Sequence, residues 1–155
     1  MEEAFVVEPQ AGRRLELGNF AAVVLATAEQ TAGQFTLLQT QDEPPGFGPP
    51  LHRHRDAAEA FFVLEGDYLM HLPNGPQLCP PGSFVYVPRD TPHTFTVAST
   101  VPGKKINLLA PAAMVGFFEQ LAAAEADGRV TPELLDGLFA DNDVEVLGPV
   151  PDSYL

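Results

Sequence analysis

Residues 46–66 read Gly-Phe-Gly-Pro-Pro-Leu-His-Arg-His-Arg-Asp-Ala-Ala-Glu-Ala-Phe-Phe-Val-Leu-Glu-Gly. His52 and His54 stand two apart in a segment that Pro49-Pro50 leads into, and alternate side chains of an extended strand share a face. Both imidazoles can therefore reach one point. Glu59 follows after four residues and precedes Ala-Phe-Phe-Val-Leu, an apolar run that reads as a buried strand ending at Gly66. If Glu59 faces the histidines, Phe61 and Val63 face the same interior. A further histidine, His93, follows a second strand-like segment framed by Gly82 and Pro88. Three imidazoles and one carboxylate suit a divalent transition metal, and iron, nickel, copper, cobalt, manganese and zinc are all compatible with them.

The spacing Gly46-(five)-His52-x-His54-(four)-Glu59-(six)-Gly66 resembles the first motif of the cupin superfamily at every fixed position, and Gly82-(five)-Pro88-(four)-His93 resembles most of the second. Asp90 stands where the second motif usually has Gly, and Val97 where it often has Asn. With its helical tail, the chain is similar to small metal-binding cupins grouped with the quercetin dioxygenases. The resemblance implies an all-β fold: a single jelly-roll β-barrel over about 4–110, a C-terminal helical appendage over about 112–141, and a short final strand. It also implies one metal held by His52, His54, Glu59 and His93. Four protein ligands leave an octahedral ion two positions for water, substrate or dioxygen, as a catalytic site needs. The implied activity is that of a metal-dependent dioxygenase acting on a small aromatic or enolic substrate. In flavonol-cleaving relatives the glutamate takes the substrate's hydroxyl proton, so Glu59 would be both ligand and base. The same barrel also carries isomerases, cyclases and binding modules without turnover, and these stay open as alternatives.

Length and composition agree with one domain able to bury a core without covalent staples. Aspartate and glutamate number 21 against 8 lysine and arginine, a net charge of −13. Such a chain repels phosphate backbones and anionic lipid, which argues against nucleic acid and membrane surfaces as partners and leaves a small-molecule substrate. A single cysteine, Cys79, excludes an intrachain disulfide. It precedes Pro80-Pro81-Gly82 and reads as a turn residue without a catalytic role. The start, Met-Glu-Glu-Ala-Phe, lacks a basic segment before a long apolar one, and the expectation is a cytoplasmic protein.

Short strands are expected at 4–8 and 13–17, then at 20–28 and 34–41, with Phe35, Leu37 and Gln39 on one face. Four prolines and two glycines make 41–50 a loop. Further strands are expected at 67–72, 83–88, 93–98 and 104–110, with a tight hairpin at Pro73-Asn74-Gly75-Pro76. From 112 to 127 apolar residues recur at three and four, and Thr131-Pro132 reads as the cap and first residue of a second helix. Phe61 and Phe95 are expected to line the substrate cavity, with Phe47 and Met70 as further wall residues and Val63 as core. Arg53 and Arg55 have the opposite parity to the histidines and point outward. His71 reads as a solvated side chain near a hairpin tip, and Lys104-Lys105 as an exposed pair. The N-terminal strands leave a sheet edge through which small cupins commonly pair, so a homodimer is expected.

Overall fold

The computed structural model describes residues 2–151. In chain order the strands are β1 (Arg13–Glu16), β2 (Ala21–Ala26), β3 (Thr36–Glu43), β4 (Leu51–His54), β5 (Ala58–Glu65), β6 (Tyr68–Leu72), β7 (Gly75–Cys79), β8 (Phe84–Val87), β9 (Thr94–Val97) and β10 (Gly103–Ala110). Helices α1 (Val115–Ala126) and α2 (Pro132–Asp141) follow, and β11 (Val144–Gly148) ends the fold. One layer is a six-stranded sheet in the order β1-β2-β3-β10-β5-β8. The other comprises β7-β6-β9 and β11-β4, which meet where His52 and His93 form an isolated antiparallel bridge. The result is a jelly roll whose two layers enclose a cavity without closing into one continuous ladder.

Alternation sets the inner face of each strand. Along β5, Glu59, Phe61 and Val63 are buried while Phe62 lies outside. The β6–β7 hairpin closes with Leu72 opposite Gly75, so its two-residue turn is Pro73-Asn74, and Gly75, at a φ of 114°, opens β7. Apolar packing falls into two clusters. One, between the sheets, contains Val63, Tyr68, Met70, Val85 and Phe95. The other joins Leu17, Ala22, Leu109 and Val144 to Phe117, Leu121 and Leu138 of the helices. The helical tail is thus part of the core and covers one end of the sheets.

The tail also returns the chain to the first motif. Thr131 caps α2 by accepting a hydrogen bond from Leu134 N at 3.1 Å, with Pro132 at the first helical position as the sequence suggests. After α2, Asn142 Nδ2 donates to the Leu138 carbonyl at 2.8 Å, and β11 then pairs with β4, Val144 opposite His54 and Val146 opposite His52. The strand carrying two of the histidines is therefore held by the end of the chain. Arg53 and Arg55 point away from the interior and share Glu145 of this region, at 2.8 and 2.7 Å.

Several expectations are corrected. Residues 4–8 form no strand, and Val6 is exposed, because no neighbouring strand pairs with them. Strand β3 extends to Glu43, beyond the expected end at Gln41. Its buried face carries Thr36, Leu38 and Thr40, with Leu37 and Gln39 on the other. Threonine can occupy the interior here because its hydroxyl finds a partner: Thr36 Oγ1 donates to the Ala113 carbonyl at 2.6 Å and Thr40 Oγ1 to Glu43 at 2.8 Å. His71 is buried, since β6 is the middle strand of its sheet, and its Nε2 lies 3.2 Å from Thr96 Oγ1. Cys79 ends β7 in the core, where burial raises its pKa and suppresses thiolate chemistry. Lys105 is buried as well, for reasons given below.

Gly48, just before Pro49-Pro50, leaves no room for a side chain, because a Cβ there would collide with the backbone carbonyl of Phe95. Gly137 in α2 faces open space. Gly48→Ala should lower stability by about 1–3 kcal/mol through forced backbone movement. Gly137→Ala should raise it by about 0.5–1 kcal/mol through helix propensity. Urea unfolding measures both, and an unchanged midpoint for Gly48→Ala would contradict the close approach of 48 to 95.

Candidate metal centre

His52 and His54 leave β4 on its inner face, Glu59 leaves β5, and His93 precedes β9. All four are buried, and one potential ligand atom from each lies within 4.8 Å of the others. Backbone hydrogen bonds fix this convergence. His52 N donates to the His93 carbonyl at 3.2 Å, and His93 N donates back to the His52 carbonyl at 2.9 Å. Asp90 N donates to the His54 carbonyl at 2.7 Å. Asp90 has a φ of 62°, so the motif's usual glycine is replaced by a residue type that tolerates the left-handed region.

Ring orientation is fixed too. His52 Nδ1 lies 2.7 Å from the Pro50 carbonyl, and His93 Nδ1 lies 2.8 Å from the Thr91 carbonyl. A carbonyl only accepts, so each Nδ1 carries the proton and each Nε2 is presented to the cluster. Metal-binding imidazoles are oriented in this way. Glu59 Oε1 sits 2.9 Å from His93 Nε2 and 3.2 Å from His54 Nε2. The donor set therefore fits a divalent transition metal, with His52, His54, Glu59 and His93 as the residues that would hold it.

Without a cation the cluster balances its own charge. Burial, followed by the proximity of His93, pushes His52 down to about 4, so this ring is neutral. Burial would also lower His93, but its hydrogen bond to Glu59 and the carboxylate's charge outweigh that effect and raise it. Burial would raise Glu59, yet the charge and hydrogen bonding of His54, then of His93, hold it well below the usual carboxylate range. Both ring nitrogens of His93 thus face oxygen acceptors, and the Glu59 carboxylate favours the protonated ring.

The cluster opens onto a cavity of about 570 Å³, a size typical of small-molecule sites. Phe47, Phe61, Met70 and Phe95 all line it, as the sequence suggests, and Val63 belongs to the core. Phe117, Phe118, Leu121, Leu135 and Phe139 of the two helices line it as well. The tail's apolar period predicts an interior face but not which interior.

One polar group in the lining was unforeseen. Lys105 Nζ donates to Thr40 Oγ1 at 2.9 Å and to Glu43 Oε1 at 3.0 Å, and lies 4.2 Å from the centroid of the Phe95 ring. Tyr68 also donates to Glu43 Oε1, at 2.6 Å. Burial and then the Glu43 charge raise the phenol far above its ordinary range, so it remains a donor. Lys105 faces inward by the alternation of β10, in step with Asn107 and Leu109, and the pairing of β10 with β3 and β5 slips beside it. Nothing in the Lys-Lys dipeptide signals this.

Residues 39–108 match the family model described as Cupin domain. Quercetin 2,3-dioxygenase of Bacillus subtilis is 30% identical over 117 residues, which cover 76% of this chain and 34% of that protein. The chain thus spans about a third of the length of this curated relative. Among solved structures, a predicted oxalate decarboxylase of Thermotoga maritima superposes with a TM-score of 0.62 at 16% identity, over 69% of this chain and 99% of that one. The polyketide cyclase RemF of Streptomyces resistomycificus superposes with a TM-score of 0.58 at 21% identity, over 70% and 80%. At these identities the two structures establish the fold. Among the described residues no helix is long and apolar enough to cross a membrane.

Metal binding must displace the proton that His93 shares with Glu59, so calorimetric titration with a divalent ion should release protons, seen as a heat that varies with buffer ionisation enthalpy. Affinity should fall from about pH 8 to about pH 5 as imidazoles charge. Heats independent of buffer, or affinity flat over that span, would contradict histidine ligation. In the metal-free protein His52 contributes stability that is present above its ordinary 6.5 and is lost as pH falls towards about 4. His93 acts oppositely: its share is present below 6.5 and is lost as pH rises through its raised value.

Proposed function

We propose, from the match of residues 39–108 to the Cupin domain model, that the chain is a cupin and a metal-dependent dioxygenase acting on a small aromatic or enolic substrate. One observation carries this reading: the buried His3Glu cluster opens onto a cavity walled by Phe47, Phe61 and Phe95 and covered by aromatic residues of the helices. The similarity to quercetin 2,3-dioxygenase supports the same substrate class. A divalent ion held by the four residues would supply a Lewis-acidic centre with coordination positions left over.

The chain's own groups account for the rest. Flat apolar walls favour an aromatic ring, and the helical cover excludes water around it. His52 and His93 keep their orientation because their Nδ1 protons are held by backbone carbonyls. Glu59 is the candidate base. Its carboxylate is ionised and so able to accept a proton, but His54 and His93 stabilise the charge and make it a weak base while they remain in contact. It gains basicity when substrate entry loosens those contacts, and apolar surroundings then favour the neutral acid. A dioxygenase inserts both atoms of dioxygen into its substrate and needs no external reductant.

Oxygen uptake separates this activity from an isomerase, a cyclase or a binding module. With an enolic aromatic such as a flavonol, the metal-loaded protein should consume dioxygen in step with substrate loss. Glu59→Gln should keep most of its metal, since three imidazoles remain, and lose about 10²- to 10⁴-fold in turnover. Full activity in a metal-loaded Glu59→Gln would remove the base assignment. Substrate conversion without oxygen uptake would remove the dioxygenase reading.

A further inference from the structure

The inner faces of β3 and β10 carry polar residues beside Leu38 and Leu109. Along β10, Lys105 and Asn107 are buried while Ile106 and Leu108 face the other way. Along β3, Thr40 and Glu43 join them. A buried ion pair adds little to stability relative to well-packed apolar residues, because both charges lose their water. Polar residues at core positions are therefore expected where a site needs them, and all four of these line the same cavity as the metal ligands.

The hydrogen bonds within the group leave a defined remainder. Asn107 Nδ2 donates to Thr40 Oγ1 at 3.2 Å and to the Lys105 carbonyl at 3.4 Å. Thr40 passes its proton to Glu43 Oε1, which also accepts from Tyr68 and Lys105. Among the described residues, neither Glu43 Oε2 nor Asn107 Oδ1 takes a hydrogen bond. No sealed side-chain polar atom lacks a partner among those residues either. The two oxygens are therefore not sealed, and the cavity is the space that their residues line.

We propose that Glu43 Oε2 and Asn107 Oδ1 form a hydrogen-bond-accepting subsite for a substrate hydroxyl, phenolic because of the aromatic wall beside it. Two acceptors repel a carboxylate or phosphate. The Lys105 ammonium, already against Glu43, repels a second cation. A neutral O–H donor remains. The Phe61 ring lies 5.4 Å from Lys105 Nζ and 6.3 Å from the His93 ring, so an aromatic ligand against this wall can reach the subsite and the metal cluster together. The inference rests on the proposed function in taking this cavity as the substrate site, and it adds that the substrate carries a second hydroxyl, away from the one at the cluster.

Titration of the full chain with 2-naphthol and with 2-methylnaphthalene tests it, since the two have nearly the same size and differ in the O–H. The wild type should prefer 2-naphthol by roughly tenfold or more, as expected for a hydrogen bond to a charged acceptor. Asn107→Leu and Glu43→Gln should each reduce that preference and leave 2-methylnaphthalene binding unchanged. Asn107→Leu keeps the contacts of Lys105 with Thr40 and Glu43, so its result decides if Glu43→Gln fails to fold. Equal affinities in the wild type would overturn the subsite. So would a preference that survives Asn107→Leu but vanishes in His54→Ala, because the hydroxyl would then be read at the metal cluster, and the proposed function would stand. Failure of both probes to bind would overturn the subsite and the reading of the cavity with it.

Discussion

The reciprocal backbone hydrogen bonds between His52 and His93 are the contact on which the rest of the structure depends. They join strands from two distant parts of the chain and make β11-β4 continuous with β9-β6-β7. Because the bonded residues are themselves candidate ligands, the link that completes the second layer also sets the separation of two imidazoles. Glu59 is fixed independently, opposite Leu109 in the six-stranded sheet. The cluster is thus held from both layers, and relative movement of the layers would open it.

Around that contact the interior is divided. Close packing is the rule for protein cores, yet two apolar clusters here flank a cavity of about 570 Å³. Helices α1 and α2 compensate by burying aromatic side chains across one end, and β11 then secures β4 from its free edge. The polar inner faces of β3 and β10 meet the same need differently: an interior that stays partly open tolerates Lys105, Glu43 and Asn107 because their contacts form a connected network. Ligand chemistry, aromatic wall and polar wall are consequences of one architecture in which the core is not filled.

Most of the site was legible in the sequence because it lies on strands whose period is two. His52 and His54, and then Glu59 and Phe61, share an inner face by parity alone, and Gly/Pro punctuation marks where those strands start and stop. The polar wall was not legible. Alternation along β10 allows either set of residues to face inward, and Ile106 and Leu108 mimic the apolar face of an ordinary half-buried strand. The same ambiguity applies to β3, where Thr36, Leu38 and Thr40 turn inward and Leu37 and Gln39 do not. His71 was misread because burial of a middle strand depends on its neighbours, not on its own residues. For residues 4–8 an apolar, β-branched run was present but no pairing partner, and without a ladder such a segment has no reason to be a strand.

X-ray absorption spectroscopy of the protein loaded with one equivalent of a divalent transition metal tests the central claim most directly. The account predicts a nitrogen/oxygen shell with the outer-shell scattering of three imidazoles, falling to two in His54→Ala. A shell of oxygen ligands without imidazole scattering, or a spectrum unchanged by that substitution, would contradict it.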